Sequence, residues 1–278
     1  MKEISYLFCL FFFCFGFSQS NILNAEKPQE IGKVHDSLTQ IKLLKYDFID
    51  DKDIMWSRIV YEEIDLTEKF NHPLYFPENE SLYRDERKSL WRVIREAIKS
   101  KKIKNIYSDK NLQGDIFYEK FTEKEYLDKI EYDGAVLSSK NISSYVLKGI
   151  WYVDKRYTQL QYRLLGILPY GDDIKLINKK QDKDSAPPEP KPLFWLWYKD
   201  LRPILAKNFV FDDRNNASRI TFDQLLTSRR FTSRIIGVDN VFDDKSINQY
   251  VDDPFMQLIE SERLKNVIRD FEQDLWSN

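Results

Sequence analysis

Two histidines, His35 and His72, are the only side chains of this sequence whose unperturbed charge change falls between pH 5 and 8. A nucleophilic hydrolase needs such a base beside a hydroxyl or thiol, with an acid to orient it. No Gly-x-Ser-x-Gly turn is present to expose a serine. His72 stands between Asn71 and Pro73, a corner that suits a structural turn residue. Zinc wants cysteine or clustered histidine, and the two cysteines, Cys9 and Cys14, both lie at the extreme N-terminus. The acidic runs Asp50-Asp51-Lys52-Asp53 and Phe211-Asp212-Asp213-Arg214-Asn215-Asn216 lack the alternating ligands and sixth-position glycine of a calcium loop. They read as solvated loops. Eight glycines form no phosphate cradle. Only a carboxylate pair of the glycosidase kind stays open, because 45 acidic residues always supply a pair and sequence does not show separation.

The bulk properties describe a chain that folds and that does not seek nucleic acid. Its 278 residues suffice for one large domain or two small ones. Hydrophobic residues at 42% and charged residues at 32% give a globular balance. A net charge of −2 with no long basic block excludes a duplex-binding footprint. Nineteen Phe, sixteen Tyr and six Trp must fill a core or anchor an interface.

The first residues have the layout of a signal peptide. Lys2 precedes an apolar run from Ile4 to Phe17, too short to span a bilayer comfortably, and small residues at Gly16 and Ser18 suit cleavage before Gln19. Phe11, Phe12 and Phe13 before Cys14 argue against lipidation, which usually follows small residues. Cleavage would leave a mature chain without cysteine, stabilised by burial or by a partner rather than by disulfides. The expected organisation is a signal peptide over 1–18, an extended partner-binding arm over 19–45, and an α+β domain over 46–278.

Elements within that domain follow from periodicity and punctuation. Ile54 to Leu66 reads as a strand, and Pro73 and Pro77 predict an extended, helix-free corner. A helix is expected from about Arg84 to Lys101, with Leu90, Ile94, Ala97 and Ile98 on one face. Ile103 to Tyr107 reads as a short strand, and Thr122 with Glu125 as a capping box. Ile142 to Val153 and Thr158 to Leu168 form a β-hairpin about Asp154-Lys155-Arg156-Tyr157, with Trp151, Tyr162 and Leu164 expected on its buried face. The proline-rich stretch 178–192 is an exposed loop, and Leu193 to Tyr198 a buried strand. Thr221 caps a short helix through Leu226. Asp253-Pro254 opens a long last helix with an apolar stripe of Leu264, Val267, Ile268, Phe271 and Leu275. Hairpins and amphipathic helices without βαβ alternation predict an α+β fold, antiparallel strands packed with helices.

Several segments resemble one family in one order. They include Asn21-Ile22-Leu23-Asn24-Ala25, Pro73-Leu74-Tyr75-Phe76-Pro77, Trp151-Tyr152-Val153-Asp154-Lys155-Arg156 and Tyr162-Arg163-Leu164-Leu165-Gly166-Ile167. The C-terminal third adds Ile220-Thr221-Phe222-Asp223-Gln224-Leu225, Ser228-Arg229-Arg230-Phe231 and Ile268-Arg269-Asp270-Phe271-Glu272. The chain thereby resembles the gliding-motility protein N family (GldN, also PorN), a periplasmic component of the type IX secretion system. The stretch Lys110 to Lys140 looks shorter than in that family, and Lys199-Asp200 stands where a proline is expected.

The resemblance implies a non-enzymatic structural subunit with no catalytic residues and no cofactor. It implies binding to an outer-membrane lipoprotein of the same machinery and to the periplasmic domain of the motor protein, within a ring-like assembly beneath the outer membrane. Partner binding is expected to use the arm, through Ile22, Leu23 and Ile31, because spaced apolar anchors offset ordering entropy once a groove is present. The polar face of the last helix, with Glu260, Arg263, Arg269 and Asp270, is expected to join it. An exported glycan-binding or glycoside-processing protein is the alternative.

Overall fold

The computed structural model describes residues 43, 45–83, 87–110, 114–177, 189–211, 220–241 and 244–277, with only the backbone of 82, 83, 177 and 275–277. The expected signal peptide, nearly all of the arm, His35, and positions 178–188 and 212–216 of the two expected loops lie outside the described residues. All described residues belong to one compact unit, Lys42–Asn278.

Three long strands form the centre of the fold, β1 (Ile54–Asp65), β5 (Ile142–Asp154) and β6 (Gln159–Gly171). Short strands are β2 (Ile106–Tyr107), β3 (Glu131–Tyr132), β4 (Ala135–Val136), β7 (Lys191–Pro192), β8 (Trp195–Trp197) and β9 (Arg234–Val238). Helices are α1 (His72–Tyr75), α2 (Glu80–Tyr83), α3 (Leu90–Lys99), α4 (Glu123–Ile130), α5 (Ile174–Ile177), α6 (Tyr198–Leu205), α7 (Phe222–Thr227), α8 (Ile247–Tyr250) and α9 (Pro254–Ser277). The main sheet is antiparallel in the order β2-β8-β6-β5-β1-β9, with β7 added beside β6, and β3 and β4 form a separate pair. The fold is α+β, as the sequence predicts.

The predicted hairpin is β5 and β6. Asp154 closes its turn by accepting the Arg156 N–H at 2.9 Å and the Arg156 guanidinium at 2.6 Å, while Thr158 takes a φ of 51°. Register pairs Leu147 with Ile167 and Trp151 with Tyr162, and a bulge between Lys148 and Gly149 twists the strand. Leu164 is buried in the main core as expected, whereas Trp151 and Tyr162 are half-buried and meet ring to ring at 5.0 Å. Gly149 makes room for that meeting, since a Cβ there would stand 2.1 Å from the Tyr162 hydroxyl.

Strand alternation sends Ile64, Glu62 and Val60 to one face and Tyr61 and Glu63 to the other. Over the first face Trp91, Ile94 and Ile98 of α3, Leu201 and Leu205 of α6, and Phe222 and Leu226 of α7 form the main core with Leu147 and Ile167. Each such side chain contributes roughly 1.5–3 kcal/mol by its burial. Farther along the same face, α9 packs Leu264 and Ile268 against Val60, Ile235 and Val238. The opposite face holds Tyr61, Val146, Leu168 and Trp195 beneath Ile116 and Phe117. There the Lys148 ammonium donates to the Gly114 carbonyl at 2.6 Å, and burial pulls its pKa down.

Several boundaries differ from the sequence reading. The corner at Pro73 is helical, because a proline in the first turn of α1 gives up an N–H that has no intrahelical partner. The helix expected from Arg84 starts at Leu90, where Ser89 accepts the Arg92 N–H at 3.1 Å. Strand β2 is only Ile106–Tyr107, and the strand expected through Tyr198 stops at Trp197 as α6 begins. In the expected loop, Lys191 and Pro192 pair with Gly171 and Tyr170 at a sheet edge, a place that proline tolerates. Helix α6, strand β9 and helix α8 carry weak sequence signals, α6 because Pro203 stands inside it.

Candidate protein-binding surface

Among the described residues the groups with catalytic chemistry are dispersed or locked. Among the described residues no three His, Cys, Asp or Glu side chains are placed to hold a metal ion. The His72 ring sits edge-on against Phe76 at 5.2 Å. Asp50, Asp51 and Asp53 belong to a single 3-10 turn in which Asp50 pairs with Lys52 at 3.0 Å. The most enclosed ionic cluster joins α6 to α7. Asp223 receives Nε of Arg202 at 2.9 Å, its terminal nitrogen at 3.1 Å, and the Tyr198 hydroxyl at 2.8 Å. Tyr46 covers the Arg202 guanidinium at 4.1 Å. A second cluster buries Glu62, which accepts from Arg229 and from Ser233, both at 2.7 Å. In each cluster a carboxylate is paired with a guanidinium, as a fold requires of buried ions, although one terminal nitrogen of Arg229 is buried without a hydrogen-bond partner.

Helix α9 presents a different chemistry. Asp253 caps it by accepting the Met256 N–H at 2.9 Å, with Pro254 opening the first turn. Its inward face carries Ser261, Leu264 and Ile268, and Phe271 stacks on Trp56 at 4.5 Å. Ser261 also accepts the Ile235 N–H at 2.9 Å, fastening α9 across the edge strand β9. Val267, expected in the apolar stripe, is 37% exposed.

The outward face begins with four apolar side chains. Phe255 is 66% exposed, Met256 53%, Leu258 51% and Ile259 48%. Phe255 and the buried Leu264 lie two and a half turns apart at about 3.6 residues per turn, hence on opposite sides of the helix. Tyr250 of α8, half-exposed, stands at the start of this patch, and a cleft of about 260 Å³ opens beside it between β9 and helices α8 and α9. Its floor is Tyr61, Val146, Leu168 and Ile236, and Leu258 belongs to both cleft and patch.

The predicted polar residues of α9 are present on this helix but are engaged with one another. Arg263 forks onto Glu260 at 2.6 and 2.7 Å, and the Tyr250 hydroxyl donates to the same carboxylate at 3.2 Å. The hydrogen bonds from Arg263 lower the Glu260 pKa. Arg269 approaches Asp270 at 3.9 Å, and both are exposed. Ile22, Leu23 and Ile31 lie outside the described residues. Sequence reasoning missed Phe255, Met256, Leu258 and Ile259. The signal was available, because a helix with apolar residues at both 255–259 and 264–271 has more than one face can bury.

Among the described residues no helix is long and apolar enough to cross a membrane. No curated protein matches the chain. The family described as Gliding motility associated protein GldN matches residues 49–277, from just before β1 to the end of α9. The chain belongs to the GldN family and is a component of the gliding-motility machinery.

Proposed function

We propose that the chain is a non-enzymatic structural subunit of the type IX secretion and gliding machinery. It acts in the periplasm after removal of residues 1–18. It holds an outer-membrane lipoprotein of the same machinery and the periplasmic domain of the motor protein within a ring-like assembly at the inner face of the outer membrane. One observation carries the reading in the described residues. The outward face of α9 exposes four large apolar side chains in two turns, while each buried carboxylate of the ionic clusters is paired with an arginine of the same chain. Clustered exposed apolar area favours association. Mass spectrometry of periplasmic material tests the location through the N-terminus at Gln19, and an intact Met1 opposes export. Capture from detergent-solubilised envelope by a tagged chain tests the role. Recovery of the lipoprotein and the motor protein supports it, and retention on peptidoglycan with no protein recovered overturns it.

A further inference from the structure

The cleft between β9 and α9 has the size and the rim of a site for one kind of partner. Cavities of roughly 300–1,000 Å³ hold drug-sized ligands, so about 260 Å³ suits a single large side chain. Its walls set apolar Ile236, Ile247 and Leu258 beside polar Glu63, Asn248 and Gln257, a lining that suits a large side chain with a polar edge. Strand β9 lies at the edge of the sheet, and Ser261 already takes its Ile235 N–H. Addition of a partner strand at that position is thereby blocked. What remains accessible is the row of side chains at 255, 256, 258 and 259, with the cleft beside Leu258.

The charge around this row is unbalanced. From Asp252 to Arg263 the sequence has four carboxylates and one cation, and the rest of the helix to Asp274 adds three carboxylates and two cations. Each of the three cations has a carboxylate of the same helix beside it, Arg263 with Glu260, Lys265 with Glu262, and Arg269 with Asp270. Asp252 and Asp253 are exposed where the row begins, and Glu262 lies one turn beyond Leu258. Glu63, which lines the cleft, bonds Arg234 at 2.5 Å. A second α9 would bring the same acidic excess to this face, whereas a basic partner relieves it.

We propose that this surface binds an amphipathic helix of another protein, with an apolar stripe against Phe255, Met256, Leu258 and Ile259, one large side chain in the cleft, and basic residues along its flanks. The proposal rests on the reading of the chain as a binding subunit and specifies which surface and which partner chemistry serve it. The arrangement follows helix-in-groove recognition, with apolar anchors supplying affinity and flanking charge supplying orientation.

The test uses the purified full chain and a dye-labelled synthetic helix of about 18 residues, about five turns, bearing a Leu stripe, one Trp and Lys flanks. Fluorescence anisotropy reads its binding beside a matched peptide with Glu flanks. The Lys peptide should bind about tenfold tighter than the Glu peptide, with the difference shrinking as salt is raised. Leu258→Asp and Ile259→Asp should each weaken it by about tenfold at unchanged thermal unfolding, and Tyr157→Asp in the exposed turn between β5 and β6 should leave it unchanged. Equal binding of the two peptides, or insensitivity to both α9 variants, overturns the proposal. A wild-type dimer dispersed by Ile259→Asp in sedimentation also overturns it, because the occupant is then a second copy. Envelope capture separates the two levels. If the α9 variants capture partners as the wild type does, this surface fails and the assembly role stands. If the wild type captures nothing while the Lys peptide binds as stated, the surface stands and the assembly role fails.

Discussion

Replacing Asp223 by alanine should strand the buried guanidinium of Arg202. The two side chains are 8% and 6% exposed and meet through two hydrogen bonds, with the Tyr198 hydroxyl on the same carboxylate. Removing one member of a buried pair costs about 3–5 kcal/mol, because the other charge loses its partner without regaining water. Against a typical domain stability of about 5–15 kcal/mol this is a large fraction. The Asp223→Leu, Arg202→Met double variant removes both charges and keeps an apolar volume. It should recover most of the loss, since such replacements are often neutral. Urea unfolding followed by tryptophan fluorescence gives the three free energies from midpoints and slopes. The cluster is structural in this account, so the double variant should also capture envelope partners as the wild type does. A loss below about 1 kcal/mol for Asp223→Ala, or a double variant as unstable as the sum of the singles, refutes the reasoning.

Three other perturbations address separate elements. Gly149→Ala places a methyl group against the Tyr162 hydroxyl and should cost about 1–3 kcal/mol in urea unfolding, as overpacking does. Burial would raise the Glu80 carboxyl, but Arg95 and Ser139 outweigh it and hold its pKa below the ordinary 4.5. A lowered folded-state value gives stability that is full above pH 4.5 and is lost as pH falls through that lowered value. Glu80→Gln should therefore be less stable near neutral pH and show a flatter acid limb in thermal scans. Deleting residues 20–45 should leave the unfolding temperature nearly unchanged while weakening capture of the lipoprotein, whereas extending the deletion through Tyr46 should lower it, because that ring covers Arg202 and lies 4.8 Å from the Arg163 guanidinium.

What could be read from the sequence was local. The hairpin of β5 and β6, the capping box at Thr122, the cap at Thr221, and the Asp253-Pro254 start of α9 each depend on residues a few positions apart. Elements defined by distant contact were illegible. Strand β9 is five residues long and finds its partner in β1 more than 160 residues earlier, and the two-residue strand β7 exists only by pairing with β6. The candidate surface was half legible. The outward polar residues Arg263, Arg269 and Asp270 were recognisable from helical period, but their pairing with neighbours was not. The apolar residues of 255–259 were missed because apolar residues in a helix are ordinarily assigned to the core, and only the packing of Leu264 and Ile268 against β9 shows that the core is already on the other side.

The central claim is that this chain works by holding another envelope protein. Light scattering after size-exclusion chromatography of the purified chain mixed with the soluble part of the lipoprotein partner tests it most directly. The account predicts a single co-eluting species heavier than either component, diminished when residues 20–45 are deleted. Separate elution of the two proteins at their individual masses would contradict it.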